Sequence, residues 1–230
     1  MRSEYLLFDL LIFLCAFCGP LFSHWLTDRG TFPNWKAFTG AFIVVSLPFL
    51  VWDHLVTKWW WYFSEQYTLG LRIGSLPLEE ILFFVVVPWG CGVLWHNIRP
   101  EWKKHSVAFP IELLVALPLL ALGAIALLNA WWYTASVSIL LPLIIGASSW
   151  KKRWLNQTST LIFFAGVLLL TLIFNGYLTA RPIVTYNPAI VTNWRIWTVP
   201  IEDFLYGLIL VSGVVWVYDF LLPHLSKKQD

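Results

Sequence analysis

The sequence predicts an all-α polytopic membrane protein, a helical bundle of about seven transmembrane helices built as two parallel three-helix repeats plus a connecting helix. Three observations carry that expectation. Of 230 residues, 59% are hydrophobic and only 12% charged, against about half and about a quarter in an ordinary soluble domain. The apolar residues gather into runs of about 20, the length that crosses a bilayer, without the alternation of barrel strands. A short acidic motif also occurs twice, at a fixed distance. This composition excludes cytosolic enzymes, disordered regulators and secreted disulfide scaffolds, and a net charge of +2 indicates no nucleic-acid surface.

The apolar runs place helices at residues 4–22, 37–56, 77–98, 109–128, 130–149, 159–178 and 200–222. Lipid offers the backbone no hydrogen-bond partner, so these runs must be helical. In the first, Asp9 interrupts the apolar core and no small-x-small pattern precedes Gly19-Pro20. Phe17 before Cys18 also argues against a lipoprotein site, so the segment is expected to stay as a helix. Only a short stretch around Asn129 separates the fourth run from the fifth, which requires a tight helical hairpin; without it the count is six. Cys15, Cys18 and Cys91 all lie in apolar stretches and suggest no disulfide framework.

Seven spans put Arg2, Lys58, Arg72, Arg181 and Arg195 on one side of the membrane and ten basic residues, from Arg29 and Lys36 through Arg153 to Lys227 and Lys228, on the other. The positive-inside rule then predicts an amino terminus outside and a carboxyl terminus in the cytoplasm, in the cell (inner) membrane. The 16 tryptophans fall mostly near span ends, as in Trp59-Trp60-Trp61 and Trp131-Trp132, where an interfacial aromatic belt is expected.

Shifting the chain on itself by 123 residues superposes Arg72-Ile73-Gly74-Ser75-Leu76-Pro77-Leu78-Glu79-Glu80 on Arg195-Ile196-Trp197-Thr198-Val199-Pro200-Ile201-Glu202-Asp203. With a one-residue shift, Asp53 faces Asn175. Residues 1–105 are therefore expected to form a first three-span copy, 106–128 a connecting transmembrane helix, and 129–230 a second copy. An odd number of connecting spans gives both copies one orientation, so both acidic motifs open a helix on the same, extracytoplasmic side.

Four carboxyl groups at a membrane boundary are costly, each about 2.5 to 3.5 kcal/mol at a span centre and less near the interface. Helix capping compensates one of them per motif, since proline suits the first helical position and an acid two residues on meets unpaired amides. It explains a second consecutive acid less well, because neighbours on a helix point about 100° apart. Arg72 and Arg195, seven positions before Glu79 and Glu202, could fold back as ion-pair partners.

At these motifs the chain resembles the lycopene cyclase domain family, heterodimeric-type carotenoid cyclases, with both halves fused in one chain. The resemblance rests on Pro77-Leu78-Glu79-Glu80 with Phe83-Phe84, on Pro200-Ile201-Glu202-Asp203-Phe204 with Tyr206-Gly207, and on Asn175-Gly176-Tyr177-Leu178-Thr179 with Pro182 and Tyr186. It implies ring closure at the ends of lycopene or a related linear carotenoid without net redox change, most simply as a lycopene β-cyclase. Such a reaction needs an acid to protonate the terminal alkene, a dry pocket for the tertiary cation, and a base to take a ring proton. Glu79 and Glu202 are expected to donate the proton and stabilise the cation, with Glu80 and Asp203 as base or orienting partners. Asp53, Arg72, Phe83, Phe84, Asn175, Tyr186, Arg195, Phe204 and Tyr206 are expected to bind substrate or support the site, and Trp89 and Trp197 could join the aromatic rings that shield the cation. The resemblance implies no cofactor or metal, and leaves open association with other carotenoid enzymes or a second copy.

Other classes fit less well. A retinal protein needs a buried lysine, and every lysine lies in a loop or tail; the five histidines are scattered singly, without a metal-binding box. There is no G-x-S-x-G elbow and no aspartate-rich diphosphate motif. Gly90-Cys91-Gly92 lacks the third glycine and strand of a dinucleotide site. An ε-type or C50 carotenoid cyclase or an end-group hydratase shares the cationic intermediate. A small proton-coupled transporter is the rival from another class, with Asp9, Glu112 and Asp219 as its unexplained acids, although a carrier places coupling carboxylates near the midplane.

Overall fold

The structure, a computed structural model, describes residues 3–27, 33–102, 111–152 and 157–226. Among them are seven helices: α1 (Glu4–Thr27), α2 (Trp35–Val56), α3 (Leu78–Trp102), α4 (Ile111–Leu128), α5 (Trp132–Lys152), α6 (Thr158–Ala180) and α7 (Ile201–Ser226). All seven apolar runs are helices, and the main difference is that α1, α3 and α7 continue past their apolar stretch by about a turn. Five of the seven, α2, α3, α4, α6 and α7, are long and apolar enough to cross a membrane over their described residues. Large apolar side chains point outward along them, Leu47 and Val51 on α2 and Leu113, Leu114 and Leu117 on α4 all being more than half exposed. A soluble protein could not leave that surface to water; this one is a membrane protein whose outer helix faces suit lipid. Of the charges behind the expected orientation, Arg2, Arg29, Lys103, Lys104, Arg153, Lys227 and Lys228 lie outside the described residues.

The hairpin expected at Asn129 is present. Ala130 takes a left-handed φ of 59°, the Trp131 N–H donates to the Ala126 carbonyl at 2.9 Å, and Asn129 Nδ2 donates to the Ile125 carbonyl at 2.8 Å. These bonds close the last turn of α4 as a helix C-terminus requires. Gly123 then lets α5 approach closely, since a Cβ there would come 2.9 Å from Ile139 Cγ1.

The chain groups into two compact units. One takes in residues 1–58, 63–100 and 213–230, the other residues 59–62 and 101–212, so α7 begins in the second unit and ends in the first. In the first, Asn34 caps α2 by accepting from the Ala37 N–H at 3.1 Å. Phe38 is packed edge-on against Trp89 at 5.0 Å and Tyr218 at 6.2 Å. The fit is tight, for a Cβ at Gly92 would collide with the Phe38 ring.

The 123-residue offset seen in the sequence recurs in the backbone. Short strands β2 (Arg72–Ile73) and β3 (Leu76–Pro77) pair as a hairpin with Arg72 opposite Pro77, and β5 (Arg195–Ile196) and β6 (Val199–Pro200) pair as a hairpin with Arg195 opposite Pro200. β1 (Trp61–Phe63) and β4 (Val184–Tyr186) hold equivalent places in the two copies and together make a two-stranded sheet. The first position of each hairpin turn is left-handed, Gly74 at φ 63° and Trp197 at φ 58°. In the first copy the small residue is in the turn, and the His54 ring covers Gly74. In the second the sizes are exchanged: Trp197 is in the turn, and a Cβ on Gly176 would lie 2.5 Å from its Cζ3. The next hydroxyl ties each hairpin to the preceding helix, Ser75 Oγ donating to the His54 carbonyl at 2.5 Å and Thr198 Oγ1 to the Gly176 carbonyl at 3.2 Å.

Candidate active site

Each hairpin delivers the chain into the helix that opens with the paired acids. The Leu78 N–H donates to the Leu71 carbonyl at 2.9 Å and the Ile201 N–H to the Trp194 carbonyl at 3.0 Å, the same bond in each copy. Glu79 and Glu202 are fully buried, and Glu80 and Asp203 are also buried. These carboxyl groups therefore do not face bulk water, which a simple surface cap would.

The first acid of each pair is held by one oxygen. Glu79 Oε1 accepts from the Leu69 N–H at 2.6 Å, and Glu202 Oε1 accepts from the Thr192 N–H at 2.8 Å, ten residues upstream in both cases. Glu202 Oε1 gains two more donors, the hydroxyls of Thr192 at 2.8 Å and Thr134 at 2.6 Å. In both copies the second oxygen, Oε2, is buried with no hydrogen-bond partner among the described residues. A buried polar atom left unmatched is costly, and here the same unmatched atom occurs twice.

The second acid of each pair accepts from a tyrosine at the start of the copy's first helix. The Tyr5 hydroxyl donates to Glu80 Oε2 at 2.6 Å, and the Tyr133 hydroxyl to Asp203 Oδ1 at 3.0 Å. A repeated backbone bond sets both tyrosines: the Tyr5 N–H donates to the Tyr67 carbonyl at 3.2 Å and the Tyr133 N–H to the Ile190 carbonyl at 3.1 Å. Asp203 carries two further donors on Oδ2, the Tyr186 hydroxyl at 2.5 Å and Asn175 Nδ2 at 3.2 Å. Asn175 thus serves as a donor to the acid, a role its first-copy counterpart Asp53, 2% exposed at the end of α2, cannot play as a carboxylate.

Aromatic rings surround Asp203. Trp61 lies 5.2 Å from Tyr133, 6.4 Å from Tyr186 and 6.3 Å from Tyr206, all in edge-on geometry. The Tyr133 and Tyr186 rings are parallel within 1° at 6.2 Å, and Tyr133 meets Tyr206 edge-on at 6.2 Å. Trp61 is held there by its own segment, the Asn187 N–H donating to the Trp60 carbonyl at 2.8 Å.

Several expectations change. Arg72 and Arg195 do not pair with the motif acids. Arg72 Nη1 donates to the Ser75 carbonyl at 2.8 Å, with Glu65 3.8 Å from its Nη2, and Arg195 Nη1 donates to the Thr198 carbonyl at 2.6 Å. Each closes its own hairpin turn, three residues away, because the turn's carbonyl lies nearer than a buried acid seven residues on. Trp61 is no belt residue either: it is 5% exposed, whereas Trp59 is 73% exposed. Trp89 packs on Phe38, and Trp197, 68% exposed, packs on Gly176. Phe84 and Phe204 are buried within the first two turns of α3 and α7, with Phe83 half-buried beside Phe84. Of the shielding aromatics expected from sequence, Tyr206 is the one the ring cluster includes. Tyr5, Tyr133, Thr134, Leu69 and Thr192 were not legible as site residues; a tyrosine near the start of the first helix of each copy is the one sequence signal that could have pointed to two of them. No group of histidine, cysteine or carboxylate side chains among the described residues could hold a metal ion.

The chain is a polytopic helical membrane protein with a duplicated, buried pair of acids. A family model described as Lycopene cyclase matches residues 4–98 and 130–221, well over half of the chain, and the chain belongs to the lycopene cyclase family. It is accordingly a carotenoid cyclase of the membrane, acting on a carotenoid substrate. The two matched stretches coincide with the two copies of the repeat and leave α4 outside both. No curated protein and no solved structure matches the chain.

Proposed function

We propose that this protein is a lycopene β-cyclase of the isomerising, non-redox type, in which residues 1–105 and 129–230 are two copies of one catalytic unit joined by the 106–128 helix. The observation that carries the reading is the twinned glutamate, one oxygen clamped by a backbone amide and the other buried and unpartnered. That arrangement suits a carboxylic acid, whose carbonyl oxygen takes the donors while its hydroxyl stays available. Glu79 and Glu202 then give their protons to the terminal alkene. A C–H bond forms at the less substituted carbon, and a tertiary cation is left beside it. The next double bond attacks that cation and closes the ring, moving the positive charge to a ring carbon. Loss of a proton from the neighbouring, newly bonded carbon gives the β ring, and Glu80 or Asp203 takes that proton.

Asp203 is the better-defined base, since three donors fix its orientation and its negative charge stands among the rings of Trp61, Tyr133, Tyr186 and Tyr206. Ring faces stabilise a cation by up to about 2 kcal/mol when water is excluded. Phe83, Phe84 and Phe204 supply apolar lining next to the acids, Asp53 and Asn175 orient them, and Arg72 and Arg195 support the site by shaping the hairpins. The protein belongs in the cell (inner) membrane, and the charge distribution of the sequence favours an amino terminus outside. Expression of the full chain in a lycopene-accumulating bacterium tests the reading by pigment chromatography. The expected result is conversion of lycopene to a carotenoid with β rings. An ε-ring or hydrated product would retain the protonation step and replace its resolution, whereas unchanged lycopene with the protein abundant in the membrane would refute the proposal.

A further inference from the structure

One buried acid of the first unit has no part in the motif. Asp9 is 2% exposed on α1, and both its carboxyl oxygens are buried with no hydrogen-bond partner among the described residues. It lies four residues after Tyr5 on the same helix face, and the Tyr5 hydroxyl rests on Glu80 at 2.6 Å. Asp9 is thus buried one turn along the α1 face whose Tyr5 rests on Glu80. A carboxylate there would be an uncompensated charge, so the group is accommodated as the neutral acid, carrying a proton.

The fold does not ask for an acid at this place. The repeated backbone bonds of Tyr5 and Tyr133 make those residues equivalent, so four residues on, Asp9 corresponds to Val137, itself fully buried. Valine fills the position in one copy and aspartic acid in the other. The polar side chain in the second copy is one residue after its tyrosine instead, where Thr134 holds Glu202 and the first copy has Leu6.

We infer that Asp9 is a positioning residue that relays protons within the first-copy site, returning Glu79 to its acid form after each ring closure. This rests on the cyclase reading above. Glu79 gives its proton to the alkene and becomes a carboxylate. Asp9 passes its own proton to Glu79 and is reprotonated by the one Glu80 has taken from the ring, so each turnover ends with every acid as it began and no net proton consumed, and the acids exchange with solvent between turnovers. Glu79 and Glu80 on α3 are the acids nearest to it, and Tyr5 on its own helix bonds to Glu80.

The test uses the full chain in membranes of a lycopene-accumulating host, with rates and apparent KM measured for Asp9→Asn, Asp9→Val and Asp9→Glu. Asn and Val are expected to lower kcat at least about tenfold at unchanged membrane abundance and KM, and Glu to restore most of the rate. A Val or Asn variant that cyclises at the unmodified rate overturns the inference. So does an equal loss in all three variants, or a loss that tracks falling abundance, either of which would mark a packing role. An unmodified chain that makes no ring in the same host refutes the cyclase reading itself, a different result from an active chain indifferent to Asp9.

Discussion

Replacing Glu202 by glutamine is expected to abolish ring formation, lowering turnover by about 100- to 10,000-fold, the range supplied by a positioned general acid, while leaving membrane abundance close to normal. Glutamine keeps the carbonyl oxygen that accepts from Thr134 and Thr192. It puts an amide NH2 where Glu202 Oε2 has no partner among the described residues, a misfit on the order of 1 kcal/mol. Folding therefore survives and the transferable proton does not. Glu79→Gln is expected to act alike, because its Oε1 also keeps the Leu69 amide. The substitution separates chemistry from capping, since a residue present only to satisfy a helix start would lose little as glutamine. Cyclisation rates in isolated membranes, normalised to protein abundance, decide the point, and two active variants would reduce both glutamates to caps.

Asp203→Asn should be the next most damaging change, lowering kcat by about 100- to 1000-fold with a small effect on KM, as loss of a preorganised charge does elsewhere. Asparagine can accept from Tyr133 through one oxygen, but its amide would face the Tyr186 hydroxyl and the Asn175 amide, both donors in the native site. The negative charge, moreover, is gone from the centre of the ring cluster. Tyr186→Phe removes one of the three donors and leaves the charge and the ring, so a loss of about tenfold is expected. If the two variants were equally mild, the Asp203 network would be structural.

Hydropathy was enough to place every helix, because lipid permits few alternatives and a long apolar run admits one reading. The acidic pairs were legible too, since two acids after a proline are costly anywhere in a membrane and their recurrence at a constant offset is visible without a structure. What holds those acids was not. The clamp on Glu79 comes from the main chain of Leu69, whose side chain carries no sign of it. The donors to Asp203 come from Tyr133, Asn175 and Tyr186, which are distant in sequence and converge only through α5, α6 and β4. Trp61 has the same local surroundings as Trp59, yet a strand turns one inward and leaves the other exposed. The arginines misled for a related reason. A match in register shows that a residue recurs, and what recurred was the closure of a two-residue turn. Asp9 stood out in the sequence as an acid in an apolar helix, but its place beside Glu80 depends on the Tyr5 contact.

Turnover of lycopene by membranes equilibrated in D2O tests most directly whether the twinned acids start the reaction. With the site acids exchanging with solvent between turnovers, each ring is expected to gain one carbon-bound deuterium, at the ring carbon that was the protonated end of the terminal alkene, and Glu79→Gln and Glu202→Gln are expected to remove ring and label together. Cyclic product free of deuterium after many turnovers would contradict it.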